Sequence, residues 1–391
     1  MQRLPNENPV VISGTGLFTP PHSISNEELV EVHSAYVDKF NAENAEAIAR
    51  EEVAELQHSS VEFIEKVSGI KQRYAMFKEG ILDPERMMPV VPRRAKEELS
   101  ISAQMAVAAA TEALLRAGKN PEEVDLVICG ASTSERPWPA VAIEIQQALG
   151  CGGYAFDMSV ACSTATFAIS MAIDALIAGT ATCALIVSPE FFTPQLNFRD
   201  RDSHFIFGDV ATAVVLERQE TAGGEQLFQI LDRQLTTTFS NNIRTDLSYL
   251  TRAEADLTLE RFFEPDQWFV QEGRKVFKEL LPMVIKLVSQ QIKDYGLESS
   301  DIARMWLHQA NINMNQFAAQ KLLGRKALPH EAPNVLEEYG NTVSAGAIVG
   351  GCQGCCRVKP HYATIFNGAP SEGSTFSGLS RTMAKGSQLR V

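Results

Sequence analysis

No apolar stretch in this 391-residue chain is clean enough to read as a membrane span, and the opening Met1-Gln2-Arg3-Leu4-Pro5-Asn6-Glu7-Asn8-Pro9 lacks the apolar core of a secretory signal. The longest segment without a basic residue, roughly 159–195, is interrupted by Asp174, Gly179, Pro189 and Glu190, which suits a buried helix followed by a strand. Basic residues are in deficit, 35 Lys and Arg against 48 Asp and Glu, for a formal net charge of −13. That balance excludes a general nucleic-acid binder, because phosphates need a basic face, and any acidic partner must find a local basic patch. Cysteines do not pair off either: Cys129, Cys151, Cys162, Cys183, Cys352, Cys355 and Cys356 are seven, an odd count. With no secretory signal they read as free thiols in a reducing cytoplasm.

What is present is an alternation of short β-branched runs with longer helical patterns. Val10-Val11-Ile12 and Leu126-Val127-Ile128-Cys129 read as fully buried strands, and between them Ile101 to Ala117 carries Ala, Met and Leu at helical spacing, closed by Gly118 and Pro121. The pattern continues through Tyr154–Met158, a helix from Cys162 to Ala178, and strands at Cys183–Val187 and Ala211–Leu216. The expectation is an α/β protein with a parallel or mixed sheet. A first half ends near residue 220, a turn at Thr221 to Glu225 follows, and residues 221–349 partly echo the first half. Two polar insertions, 32–60 and 78–98, read as solvated helix and loop, or alternatively as a cap over a tunnel.

Cys162 follows a strand and stands where an Ala/Ile-periodic helix begins, a position that stabilises a thiolate. Most free cysteines are small buried hydrophobes, and Cys129, Cys151 and Cys183 fit that description. His308 ends the strand Met305-Trp306-Leu307, and ligands in open α/β sheets collect at such strand ends, although a single histidine is more often a satisfied polar residue. Asn341, within Gly340-Asn341-Thr342, taken alone is a turn residue.

Together, Asp157-Met158-Ser159-Val160-Ala161-Cys162-Ser163-Thr164, Leu307-His308-Gln309-Ala310-Asn311 and Gly340-Asn341-Thr342-Val343-Ser344-Ala345 form a more specific pattern. The chain resembles the β-ketoacyl-acyl-carrier-protein synthase III family in these motifs and their order. Gly69-Ile70-Lys71-Gln72-Arg73, Ile206-Phe207-Gly208-Asp209 and Gly273-Arg274-Lys275-Val276-Phe277-Lys278 are similar too. The long insertions look most like the medium-chain-primed, β-ketodecanoyl branch.

The resemblance implies a thiolase fold of two duplicated halves in an αβαβα sandwich. It implies that Cys162 takes the acyl primer as a thioester, and that His308 and Asn341 stabilise the enolate formed when malonyl-acyl-carrier protein loses carbon dioxide. The primer would come from acyl-CoA or acyl-carrier protein. No cofactor is implied, and a homodimer without nucleic-acid or membrane partners is expected. Phe63, Arg73, Phe207 and Trp138 become candidate substrate-binding residues, with Trp138 matching an aromatic that caps the partner subunit's acyl tunnel. Phe63 stands where the family has a tryptophan that stacks on the coenzyme A adenine, which weakens the inference that coenzyme A carries the primer and leaves both carriers open. Arg274, Lys275 and Lys278 become the candidate docking patch for acidic carrier protein, though they also suit an ordinary solvated helix face.

The resemblance stops near residue 350. Residues 350–391 hold seven Gly, five Ser and no apolar run longer than Ile365-Phe366. The expectation is therefore a replaced or frameshifted tail that omits the family's last two strands, leaving an inactive or unstable member of the fold. Cys352, Cys355, Cys356 and His361 give only a weak zinc pattern, and no metal site is assigned. A cysteine hydrolase with the same Cys, His, Asn order is the competing enzyme class, disfavoured by the mid-chain strand-to-helix setting of Cys162.

Overall fold

The computed structural model describes residues 7–253, 258, 261, 264–354, 362–369 and 374–384. In chain order the first half contains β1 (Val10–Phe18), β2 (His22–Ser25), α1 (Asn26–Glu43), α2 (Ala45–Ala49), α3 (Val61–Ser68), β3 (Gln72–Ala75), α4 (Ile101–Ala117), β4 (Leu126–Gly130), α5 (Val141–Leu149), β5 (Tyr154–Met158), α6 (Thr164–Ala178), β6 (Cys183–Glu190) and β7 (Val210–Arg218). The second half contains β8 (Gln226–Thr236), β9 (Ile243–Arg244), β10 (Val270–Gln271), α7 (Gly273–Asp294), β11 (Ile302–Leu307), α8 (Ile312–Leu323), α9 (Leu336–Tyr339), α10 (Gly346–Gly354), β12 (Tyr362–Ala369) and β13 (Ser374–Ala384).

Nine strands form one mixed sheet in the order β11-β12-β13-β8-β1-β7-β6-β4-β5. It is two half-sheets sewn together where β1 meets β8 over only two residue pairs, Val11 with Gln229 and Ile12 with Phe228. Period-two alternation sorts the side chains into layers. Val127, Cys129, Leu185 and Val187 face α4 and α5, whereas Leu126, Ile128, Ala184 and Ile186 face α6. On β11, Trp306 joins the α6 cluster together with Ile348 and Cys352 of α10, while Met305 and Leu307 face α7 and α8. The result is α4/α5, half-sheet, α6/α10, half-sheet, α7/α8, the layering of a thiolase fold. Residues 161–178 pass a length-and-hydropathy test for a membrane span, but this segment, largely α6, is the packed central layer.

The first insertion is not a solvated appendage. A Ser25–Glu28 capping box starts α1, which buries Val32, His33 and Val37. From the second insertion Ile81 and Met87 join the same cluster, which also holds Phe192, Phe205 and Phe207. Both insertions therefore back the wall that, as described below, bounds the central cavity.

The expectation of a tail without strands is overturned. β12 pairs parallel to β11, and β13 pairs antiparallel to both β12 and β8, so the tail fills the space between β11 and β8. Strand formation here is set by neighbours on both sides offering backbone groups, and a low-hydrophobicity segment can answer them. Residues 370–373, between the two strands, and Cys355, Cys356 and His361 lie outside the described residues. Cys352 is buried, with its Sγ 3.7 Å from the Gly16 carbonyl oxygen.

Candidate active site

The turn after β5 carries the nucleophile candidate. Ala161 sits at φ 42°, a strained value for a residue with a side chain, and throws Cys162 forward at the start of α6. The turn is locked from behind: the Ala161 carbonyl accepts from the Thr164 N–H at 3.0 Å, the Thr164 hydroxyl at 2.5 Å and the Ser132 hydroxyl at 2.9 Å. The Thr164 Oγ1 in turn accepts from the Val160 N–H at 2.7 Å.

His308 leaves the end of β11 and is buried. Its two ring nitrogens are buried without a hydrogen-bond partner among the described residues. Burial alone pushes its pKa down to about 4, so at neutral pH the ring is uncharged and offers one N–H. The residues that follow hold it there. Gln309 Nε2 donates to the Leu307 carbonyl at 2.8 Å and its Oε1 accepts from the Val335 N–H at 3.1 Å. Asn311 caps α8, accepting from Asn313 and Met314, and donates to the Val67 carbonyl of α3 at 2.6 Å.

Asn341 is fixed through its backbone, donating its N–H to the Ile206 carbonyl at 2.8 Å and accepting from the Gly208 N–H at 3.1 Å. Its Oδ1 accepts from the Val343 N–H at 2.9 Å, which aims the amide NH₂ away from the turn as a donor. Cys162, His308 and Asn341 line one cavity of about 760 Å³. Its apolar wall includes Phe63, Phe205, Phe207, Phe269, Leu280 and Val284. A cysteine at a helix start that shares a cavity with two neutral N–H donors suits thioester chemistry, in which charge appears on a carbonyl oxygen and must be met by fixed donors.

Two protein-family models match the chain: 3-oxoacyl-[acyl-carrier-protein] synthase III over residues 156–237, and the C-terminal model of the same family over residues 292–354. The chain is 50% identical over 320 residues to the β-ketodecanoyl-[acyl-carrier-protein] synthase of Pseudomonas aeruginosa, covering 82% of this chain and 90% of that one. The chain belongs to the synthase III family. It is 31% identical over 300 residues to the β-ketoacyl-[acyl-carrier-protein] synthase III of Rhizobium meliloti, covering 76% of this chain and 83% of the relative. The synthase III structure from Aquifex aeolicus superposes with a TM-score of 0.71 at 24% identity, covering 95% of this chain and 99% of that one, a likeness of fold. Membership makes the chain an acyltransferase, a 3-oxoacyl-acyl-carrier-protein synthase of fatty acid biosynthesis.

The other candidates of this synthase fall in different places. Phe63, Phe207 and Arg274 line the cavity. Arg73 does not: it is 1% exposed and donates to the Ile24 carbonyl, Asn26 Oδ1 and the Phe205 carbonyl, bracing the cavity wall from outside. A motif match located Arg73 in sequence without revealing the direction of its side chain. Trp138 is 76% exposed on the loop before α5, outside the cavity lining. Lys275 and Lys278 are exposed on α7, where Lys275 pairs with Glu272. Sequence reasoning missed Phe205, Phe269 and Leu280, apolar residues with no motif to announce them, and Asn311, whose signal lay in the His308-Gln309-Ala310-Asn311 run.

Proposed function

We propose that this synthase loads an acyl primer onto Cys162 and condenses it with malonyl-acyl-carrier protein, with His308 and Asn341 as the donors that stabilise the malonyl enolate. The observation that carries the reading is the meeting of these three side chains in one largely apolar cavity, His308 and Asn341 presenting uncharged donors. In the first half-reaction the Cys162 thiolate attacks the primer thioester, the carrier thiolate leaves and takes up a proton, and N–H groups at the start of α6 hold the oxyanion. In the second, loss of carbon dioxide leaves its electron pair on the malonyl carbon as an enolate. That carbon attacks the Cys162 thioester and expels the thiolate. No base is needed for carbon deprotonation.

A medium-chain primer is supported by the aromatic wall built from Phe63, Phe205, Phe207 and Phe269 and by the name of the Pseudomonas relative. A homodimer is supported by β5, a strand at the sheet edge whose Tyr154 and Phe156 are exposed, as are Ile143 of α5 and Trp138 of the loop before it. Trp138 would then serve the partner's tunnel. Arg274 on the cavity lining, with Lys275 and Lys278 exposed on the same helix, suits an acidic carrier protein, and a cytoplasmic location fits the thiol chemistry. We read residues 1–220 as the nucleophile half, 221–349 as the donor half and 350–391 as an atypical tail that supplies strands yet departs from the family in sequence.

The test is intact-mass analysis after offering acyl thioesters of several lengths, followed by malonyl-acyl-carrier protein. A stable adduct that is lost in Cys162→Ser, and that is released as a 3-oxoacyl product, supports the synthase. Release as free acid would favour the hydrolase, and a folded protein that forms no adduct would favour an inactive member of the fold.

A further inference from the structure

The condensation chemistry makes no use of Glu190, yet this carboxyl is 0% exposed and joins the Ser132 loop, which braces the turn before Cys162, to the segment that follows Asn341. On one side it accepts from the Ser132 N–H at 3.1 and 3.2 Å, and its Oε1 lies 3.1 Å from the Ser132 hydroxyl. On the other it accepts from the Ser344 N–H at 3.2 Å and from the Ser344 hydroxyl, three residues beyond Asn341. Ser132 is the hinge of this arrangement, because its hydroxyl has one proton and two acceptors: the Glu190 carboxyl, and the Ala161 carbonyl at 2.9 Å.

We infer that Glu190 is a positioning residue whose protonation state decides where the Ser132 hydroxyl points, and thereby how strongly the Ala161–Cys162 peptide is polarised. With Glu190 neutral, the carboxyl is the weaker of the two acceptors, and the Ser132 proton goes to the Ala161 carbonyl. That carbonyl shares a peptide group with the Cys162 N–H, so loading the oxygen with a further donor sharpens the N–H at the nucleophile. With Glu190 ionised, the carboxylate takes the Ser132 proton and the polarisation falls. Burial pushes the Glu190 pKa up to about 7, within the working range, against the lowering effect of the Ser132 and Ser344 hydrogen bonds. The neighbouring titratable groups are the buried Cys129 thiol of β4, itself raised by burial and acted on by Asp157, and Asp209 ahead of β7, whose carboxylate is occupied by the N–H groups of Met76, Phe192 and Thr193. The ionisable side chains that line the cavity itself are Cys162, Asp200, Asp202, Arg274 and His308.

The inference rests on Cys162 being the acylated residue, and the experiment separates the two. Acyl transfer to the full-length enzyme is followed by intact mass from pH 5.5 to 9, alongside the iodoacetamide rate of the same thiol, which corrects for thiolate. After that correction the wild-type acylation rate should fall about three- to tenfold through an inflection near pH 7, the size of one modest hydrogen bond. Glu190→Gln, which keeps an uncharged acceptor facing Ser132 at every pH, should lose the inflection and hold the acid-side rate. Ser132→Ala should run at the alkaline-side rate throughout. Adducts formed with the same pH profile in all three proteins would overturn the role of Glu190 and leave the synthase reading intact. Absence of any wild-type adduct would overturn both. Should Glu190→Gln lower the melting temperature, the corrected profile of Ser132→Ala decides alone, and retention of its inflection counts against the inference.

Discussion

His308 shows how one residue ties chemistry to stability. Its folded pKa of about 4 lies below the ordinary histidine value of 6.5, so as pH falls through that window the unfolded chain binds a proton that the folded chain refuses. Stability is therefore lost on acidification, by about 2 kcal/mol from this group between pH 6.5 and 5. His308→Asn should remove that share, which denaturant melts of both proteins at the two pH values would reveal as a smaller pH difference in the variant. Asn341→Ala should leave Cys162 acylation intact and slow the condensation half-reaction about 10²- to 10³-fold, the usual cost of one lost donor to a developing oxyanion. Equal losses in both half-reactions would refute that division. Cys162, His308 and Asn341 stand out as candidates because each sits in a local motif in the family's order, and the structure places all three on the same cavity. Glu190 does not stand out in sequence, since its meaning comes from Ser132 and Ser344, 58 and 154 residues away.

At the scale of elements, the sequence announced the helices and central strands through periodicity, and failed where pairing rather than pattern decides. β12 and β13 lack apolar runs, and they form because β11 and β8 stand apart with open backbone groups between them. A chain ending at residue 354 should consequently leave two internal sheet edges bare and come out aggregated or molten, as read by near-ultraviolet circular dichroism and light scattering. A folded monomeric truncation would show that the tail is dispensable. The contact of β1 with α4 is equally exacting. A Cβ at Gly16 would stand 1.9 Å from the Ala109 carbonyl oxygen, so Gly16→Ala must push helix from sheet and should cost about 3 kcal/mol or more. Arg73 and the first insertion teach the complementary lesson: a motif match suggested substrate binding for the one and polar composition suggested surface for the other, but long-range packing drew Arg73 and His33 inside.

The whole molecule brings Cys162 from one half and His308 and Asn341 from the other to the lining of one cavity, walled in part by α7 and α8. Filling it with Val284→Phe or Leu280→Trp should shorten the longest primer that acylates Cys162, with short primers unaffected, as intact mass would report. Phe156→Lys on the β5 edge should shift a dimer toward monomer in sedimentation, and an unchanged species would move the interface elsewhere. The two-pair seam between β1 and β8 gives this architecture the mechanics of a laminate rather than a slab. The half-sheets can shear against each other with little loss of ladder bonding, while the same slip carries Cys162 away from His308 and Asn341. Heat or pressure should thus silence turnover before amide exchange in the strands reports any opening, so the enzyme's working limit lies in the glue line and not in the boards.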